Sequence, residues 1–173
     1  MSRLAQPNAA YAGDRGDPDP EVRSLLASAN RSLDDYLRAV AALCTARFLL
    51  PIVAVGDDGA SGPDPERHAE MRAALLTTAD GSTGLPVFTG LDALKSWRPD
   101  ARPVPCRLDE VAATAVEAGA VAVLIDLAGP VPLVIEAGLI GELAKARRLV
   151  ELDGGGWGWL FAEPDSSPPG SEG

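Results

Sequence analysis

Residues Gly84–Trp97 (GLPVFTGLDALKSW) leave the chain little choice of local structure. Leu85, Val87 and Phe88 make a short apolar run, Thr89 and Gly90 interrupt it, and Leu91, Leu94 and Trp97 then recur at helical spacing. The pattern predicts a strand, a sharp turn and a helix. Thr89 stands where a helix N-cap is expected, with Asp92 three residues on in a variant of the capping box. The rest of the chain must supply the sheet that this strand joins and the surface that this helix covers.

Upstream, residues 1–20 mix proline, glycine, asparagine and aspartate without period and read as a disordered arm. A helix should start at Pro20–Glu21. Val22, Leu25, Leu26, Ala29, Leu33, Tyr36, Leu37, Val40 and Cys44 keep one face, as one long helix or two collinear ones. Ser32, with Asp35 at its third position, is the place where they would divide. Phe48–Val55 (FLLPIVAV) reads as a strand whose Pro51, unable to donate, implies an edge position or a bulge. A polar loop, Gly56–Arg67, precedes an alternating run, Ala69–Thr78, taken as one strand. With the strand before Thr89 these form an antiparallel meander.

Downstream, Val104–Leu108 is a short strand, and Leu108, Val111, Ala112, Ala115 and Val116 give a helical stripe that Gly119 ends. Ala120–Leu127 (AVAVLIDL) is the best candidate for a sheet centre. Leu133–Glu136 is a last strand, and Leu139, Ile140, Leu143 and Ala144 mark a last helix. The expected fold class is α+β in a single domain. It has a mixed five- to six-stranded sheet containing the meander, short helices packed on it, and a long N-terminal helix. The domain spans residues 21–152, between the arm at 1–20 and a Gly/Trp segment with a disordered tail at 153–173.

Charge narrows the partners. The chain carries a formal net charge of −10, which opposes nucleic acid or an anionic membrane as the main partner. No apolar run approaches the length of a bilayer span, and no secretory signal is visible at the N-terminus. A cytoplasmic location is expected. Thirteen arginines against two lysines, with much alanine, glycine and proline, suggest a high-GC, actinobacterial-type source.

No catalytic constellation emerges, and neither a metal nor a cofactor is expected. His68 is the only histidine and has no cysteine beside it to make a metal site. Cys44 and Cys106 both fit the apolar pattern as buried thiols. Asp57, Asp58, Asp64 and Glu66 lack the ligand spacing of a calcium loop. Gly154–Gly156 leads into tryptophans rather than a phosphate-loop helix, and Gly138–Gly141 lacks the dinucleotide-binding spacing. Asp126, at the end of the apolar strand and just before Gly129, either holds a ligand at a strand end or caps its own turn. A ligand pocket there would be formed by Asp126, Gly129 and Pro51. Trp157 and Trp159, two apart and followed by Leu160 and Phe161, either fold back on the domain or anchor a partner.

The order of three segments resembles the N-terminal domain of the SseB family. These are Leu50-Pro51-Ile52-Val53; Leu85-Pro86-Val87-Phe88-Thr89 with Leu91, Leu94 and Trp97; and Ile125-Asp126-Leu127-Ala128-Gly129-Pro130. The resemblance covers about residues 42–150. Asp126 and Leu127 stand where the family pattern has Asn and Pro. The resemblance implies an α+β fold and a cytoplasmic bacterial protein, and it brings no established catalytic residues. The favoured function is therefore a non-catalytic protein-interaction or regulatory module whose partner contacts are Trp157, Trp159, Leu160 and Phe161. The alternatives are a small-molecule domain for an amino acid or nucleotide, with its pocket near Asp126, and a structural homodimer.

Overall fold

The computed structural model describes residues 9–55 and 70–161. Five short helices are interspersed with nine strands among these residues: α1 (Pro20–Ser28), α2 (Leu33–Leu43), β1 (Arg47–Val55), β2 (Glu70–Ala73), β3 (Leu76–Thr77), β4 (Thr83–Val87), α3 (Leu91–Trp97), β5 (Arg102–Arg107), α4 (Leu108–Glu117), β6 (Ala122–Ile125), β7 (Leu133–Glu136), α5 (Ala137–Leu143), β8 (Arg148–Glu151) and β9 (Trp157–Leu160). The α+β character holds, but the single five- to six-stranded sheet does not. The strands form three sheets, ordered β2-β1-β5, β3-β4-β6-β7 and β8-β9. One antiparallel bridge, Leu49 with Phe88, links the first two.

The expected meander fails at one point. The alternating run before Thr78 is not one strand: Ala73 ends β2 on β1, and Leu76 begins β3 on β4. Between them the Ala74 N–H turns to the Pro51 carbonyl at 2.9 Å. Alternation reports which residues share a face, and both short strands obey it while serving different sheets. Only the β4–β6 pairing is parallel, with α3, β5 and α4 as its crossover.

Pro51 lies in the central strand of its sheet, not at an edge and not in a bulge. The register explains how. Leu49 faces Pro105 and Pro51 faces Pro103 across β5. Leu49 exchanges both backbone hydrogen bonds with Phe88, on the side away from β5. Residues 49 and 51 therefore occupy non-hydrogen-bonded sites toward β5, where none of these prolines needs an N–H. On its other side, Pro51 marks the change of partner from Phe88 to β2.

The long N-terminal helix is in fact two. Asp19 caps α1 by accepting the Glu21 N–H at 2.8 Å, and Pro20 occupies its first position. The chain leaves the helix at Asn30–Arg31, and Ser32 caps α2 through the Asp35 N–H at 3.0 Å. Two capped starts so close together hold two separate short helices.

The main core gathers Leu26 of α1, Val40 and Leu43 of α2, Phe48 and Leu50 of β1, Leu85 and Val87 of β4, Val111 of α4, Ile125 of β6 and Ile135 of β7. A satellite core forms beneath α3 from Leu49, Phe88, Ala93, Leu94 and Ala101. Phe88 and Trp97 stack there with ring centroids 5.4 Å apart. The opening stretch therefore folds as its pattern predicts, with one exception. The N-cap of α3 is Gly90, with no side-chain cap bond, and Thr89 is drawn elsewhere.

Candidate functional site

Thr89 is drawn to Asp126. Parallel pairing of β4 with β6 aligns Val87 with Ile125, so both strands deliver their next residues to the same end of the sheet. There the Thr89 N–H donates to Asp126 Oδ1 at 2.8 Å and its hydroxyl donates to Oδ2 at 2.5 Å. The Arg23 Nε–H of α1 donates to the same Thr89 hydroxyl oxygen at 2.9 Å, and Nε stands 3.6 Å from Asp126 Oδ2. Arg23 then forks onto Asp92 of α3 at 2.8 and 3.1 Å. The result is a relay, Arg23 to Thr89 to Asp126, with Asp92 holding the free end of the guanidinium.

A second arginine closes the other side. Arg47 of β1 donates to the Thr89 carbonyl at 2.9 Å and to the Asp17 carbonyl at 2.6 Å, and pairs with Asp14 at 2.8 Å. The Leu91 N–H donates to the Gly16 carbonyl at 2.7 Å. Residues 14–19, which carry no periodic pattern, are thereby laid along the turn before α3.

Burial dominates the electrostatics. Asp126 is fully buried, and burial pushes its carboxyl above the usual aspartate range against the opposing pull of Thr89 and Arg23. Asp92 shifts the other way, because its hydrogen bonds from Arg23 hold it low. Asp126 itself sits at φ +49, in the left-handed region that Asp tolerates. The Gly129 N–H closes that turn onto the Asp126 carbonyl at 2.8 Å. A Cβ on Gly129 would lie 3.0 Å from the Asp126 Cβ. Asp126 and Gly129 therefore share one tight turn, and both carboxylate oxygens are engaged by Thr89. Pro51 lies within β1, and no backbone hydrogen bond joins it to that turn among the described residues.

The four aromatic and apolar residues near the C-terminus separate into two pairs. Trp157 and Trp159 of β9 are half-buried against the main core, and the Trp157 indole N–H donates to Asp34 of α2 at 2.9 Å. Leu160 and Phe161 are exposed, and Arg147 lies over the Phe161 ring at 5.3 Å. Cys106 is buried, and burial pushes its thiol up to about 12. Cys44 is half-buried. His68, Asp57, Asp58, Asp64 and Glu66 lie outside the described residues. Among the described residues no group of His, Cys, Asp and Glu is placed to hold a metal ion, and no helix is long and apolar enough to cross a membrane.

The sequence pattern singles out Asp126 but not its partners. Arg23 and Arg47 look like solvated charges in sequence, and only their pairing across the fold gives them a role. A family model described as the SseB protein N-terminal domain matches residues 22–142. The chain belongs to this SseB family. No curated protein and no solved structure matches it. The SseB match begins within α1 and ends within α5. It takes in both N-terminal helices and the whole Arg23–Thr89–Asp126 relay. The β8–β9 hairpin, with both its tryptophans, lies beyond the matched segment.

Proposed function

We propose that this SseB-family chain is a non-catalytic protein-interaction module that docks a partner through the outward face of its C-terminal hairpin, acting in the bacterial cytoplasm. The observation that carries this is the division of the hairpin into two faces. Leu149 pairs with Trp159 on the inner face, against the core. Strand alternation then turns Arg148, Val150, Gly158 and Leu160 outward. Leu152 leans over Gly158, where an added Cβ would come within 3.0 Å of it. Leu152, Leu160 and Phe161 remain 48%, 58% and 57% exposed. Large apolar side chains left exposed on one hairpin, rimmed by Arg147 and Arg148, mark a contact site, whereas the tryptophans are spent on holding the hairpin to the core and to α2.

The test is affinity capture from the native host with the tagged full chain beside its Leu160→Asp and Phe161→Asp variants. A stoichiometric partner held by the native chain and lost by both folded variants is expected. Equal retention by all three overturns the reading. A mass of twice 17.9 kDa in light scattering, abolished by Leu160→Asp, assigns the face to a second copy instead.

A further inference from the structure

We propose that a ligand site lies in the cleft between the end of α2, the start of α4 and the turn from α5 into β8, and that it takes the phosphate group of a small molecule. The cleft holds about 120 Å³ and is lined by Arg107, Arg147 and Arg148, with Asp109, Cys44 and Ala146 among its other walls. That volume is well above the roughly 10–15 Å³ needed to hold one water and admits a tetrahedral oxyanion. In a chain of net charge −10, three guanidinium groups gather here; Asp109 pairs with Arg107 and Glu142 with Arg147, which leaves a net excess of one positive charge on the wall. That excess favours an anion, and planar guanidinium forks suit the oxygens of a phosphate.

The arginines are placed rather than loose. Asp109 holds Arg107 by two bonds, at 3.1 and 2.8 Å. Arg147 is fixed between Glu142 and the Phe161 ring. Arg148 is exposed on the same wall and makes no ion pair with any described residue. Neighbouring residues of a strand would point apart, but Ala146, at φ +59, turns the chain just before them. Both arginines reach the same cleft from the turn and the first position of β8. Cys44, half-buried in the wall, supplies a built-in reporter. This site borders the hairpin face through Phe161 and Leu160, but its test reads phosphate binding and not partner capture, so the two readings fail separately.

Calorimetric titration of the full chain with inorganic phosphate, ionic strength held constant with sodium chloride, tests it. Saturable one-site binding is expected, weakened at least tenfold in Arg148→Gln and in Arg107→Gln and unchanged in Arg31→Gln, which lies in the loop before α2. Absence of saturable binding overturns the proposal, as does an equal loss in Arg31→Gln. Glutamate binding as tightly as phosphate also overturns it, since a general anion site would then suffice. On the native chain, phosphate should slow iodoacetamide labelling of Cys44 at least threefold relative to chloride at equal ionic strength. Unchanged labelling under phosphate counts against the site without reference to any variant.

Discussion

Thr89 and Asp126 are joined twice, backbone amide to one carboxylate oxygen at 2.8 Å and hydroxyl to the other at 2.5 Å, although 37 residues separate them. The pair ties the end of β4 to the end of β6, and Arg23 extends it to α1. Asp126→Ala would leave a buried amide without its acceptor and Arg23 without its buried counter-charge. Breaking such a network costs about 3 kcal/mol. Asp126→Asn keeps one acceptor oxygen and should cost less than half as much. Urea unfolding with an unchanged m-value measures both. A loss below about 1 kcal/mol in the alanine variant would mean that the relay does not hold the sheet end.

The two carboxylates on Arg23 should respond to pH with opposite signs. Asp126 is raised by burial, so its contribution is fully present below the ordinary aspartate value of 3.8 and is lost as pH rises through its own higher value. Asp92 is lowered by Arg23, so its contribution is present above 3.8 and is lost as pH falls through its own lower value. Relative to the native chain, Asp126→Asn should therefore cost more at acid pH than at neutral pH, and Asp92→Asn the reverse. The Asp92 effect stays within about 1 kcal/mol because its side chain is 56% exposed. Unfolding curves from pH 3 to about pH 7 decide the signs; parallel profiles for the two variants would refute the assignment.

Gly90 tests how tightly the turn is closed. Its φ of −153 is ordinary extended backbone, so any cost of a side chain there is steric. A Cβ would come within 2.5 Å of Asp92 Oδ1, 2.8 Å of the Pro18 Cβ and 3.0 Å of Arg23 Nη2. Asp92 and Arg23 cannot both yield without breaking their fork. Gly90→Ala should destabilise by about 2 kcal/mol and should lose only part of its cost when combined with Asp92→Ala, because the Pro18 contact remains. Full additivity of the two substitutions would show that the contact is not the cause.

Most elements were legible because each writes its own period. The stripe Leu108–Val116 and the left-handed Gly119, at φ +69, both fall where the pattern puts them. Pairing was not legible, because a strand's alternation is the same whichever neighbour it meets. Ala73 and Leu76 are three residues apart and belong to different sheets. Pro51 misled for a related reason: its missing donor matters on one side only, and register decides which. At the candidate site the buried carboxylate was visible from its apolar strand. Thr89 was misassigned because a threonine before a helix carries the same local signature whether it caps or reaches across the sheet. Arg23 lies 66 residues from Thr89, and no local pattern connects them.

The two thiols should label in a fixed order. Burial raises both, but Cys106, pushed up to about 12, has almost no thiolate near neutral pH and no access. Cys44 is half-buried, with Arg148 partly offsetting the effect of burial. Iodoacetamide at pH 8 should therefore modify Cys44 in the folded chain and Cys106 only on unfolding, as read by peptide mass mapping. Equal labelling of the two in native buffer would contradict the burial of β5.

The hairpin's two faces predict opposite costs for substitutions one residue apart. Trp159 is half-buried opposite Leu149. Removing a fully buried tryptophan costs about 3–5 kcal/mol, so Trp159→Ala should cost roughly 2 kcal/mol. Leu160 faces outward and is 58% exposed; Leu160→Asp should change stability by no more than about 0.5 kcal/mol. Trp157→Phe removes the indole donor to Asp34 together with some of the ring's packing on the core and should cost about 1 kcal/mol. Denaturant unfolding followed by far-UV circular dichroism ranks the three without relying on the fluorescence that the substitutions alter. The ranking matters for function because a partner lost with Trp159→Ala alone could reflect a loosened hairpin. A partner lost with Leu160→Asp, at unchanged stability, locates the contact on the outer face. If instead Leu160→Asp proves as costly as Trp159→Ala, that face is part of the chain's own packing and has no surface to offer a partner.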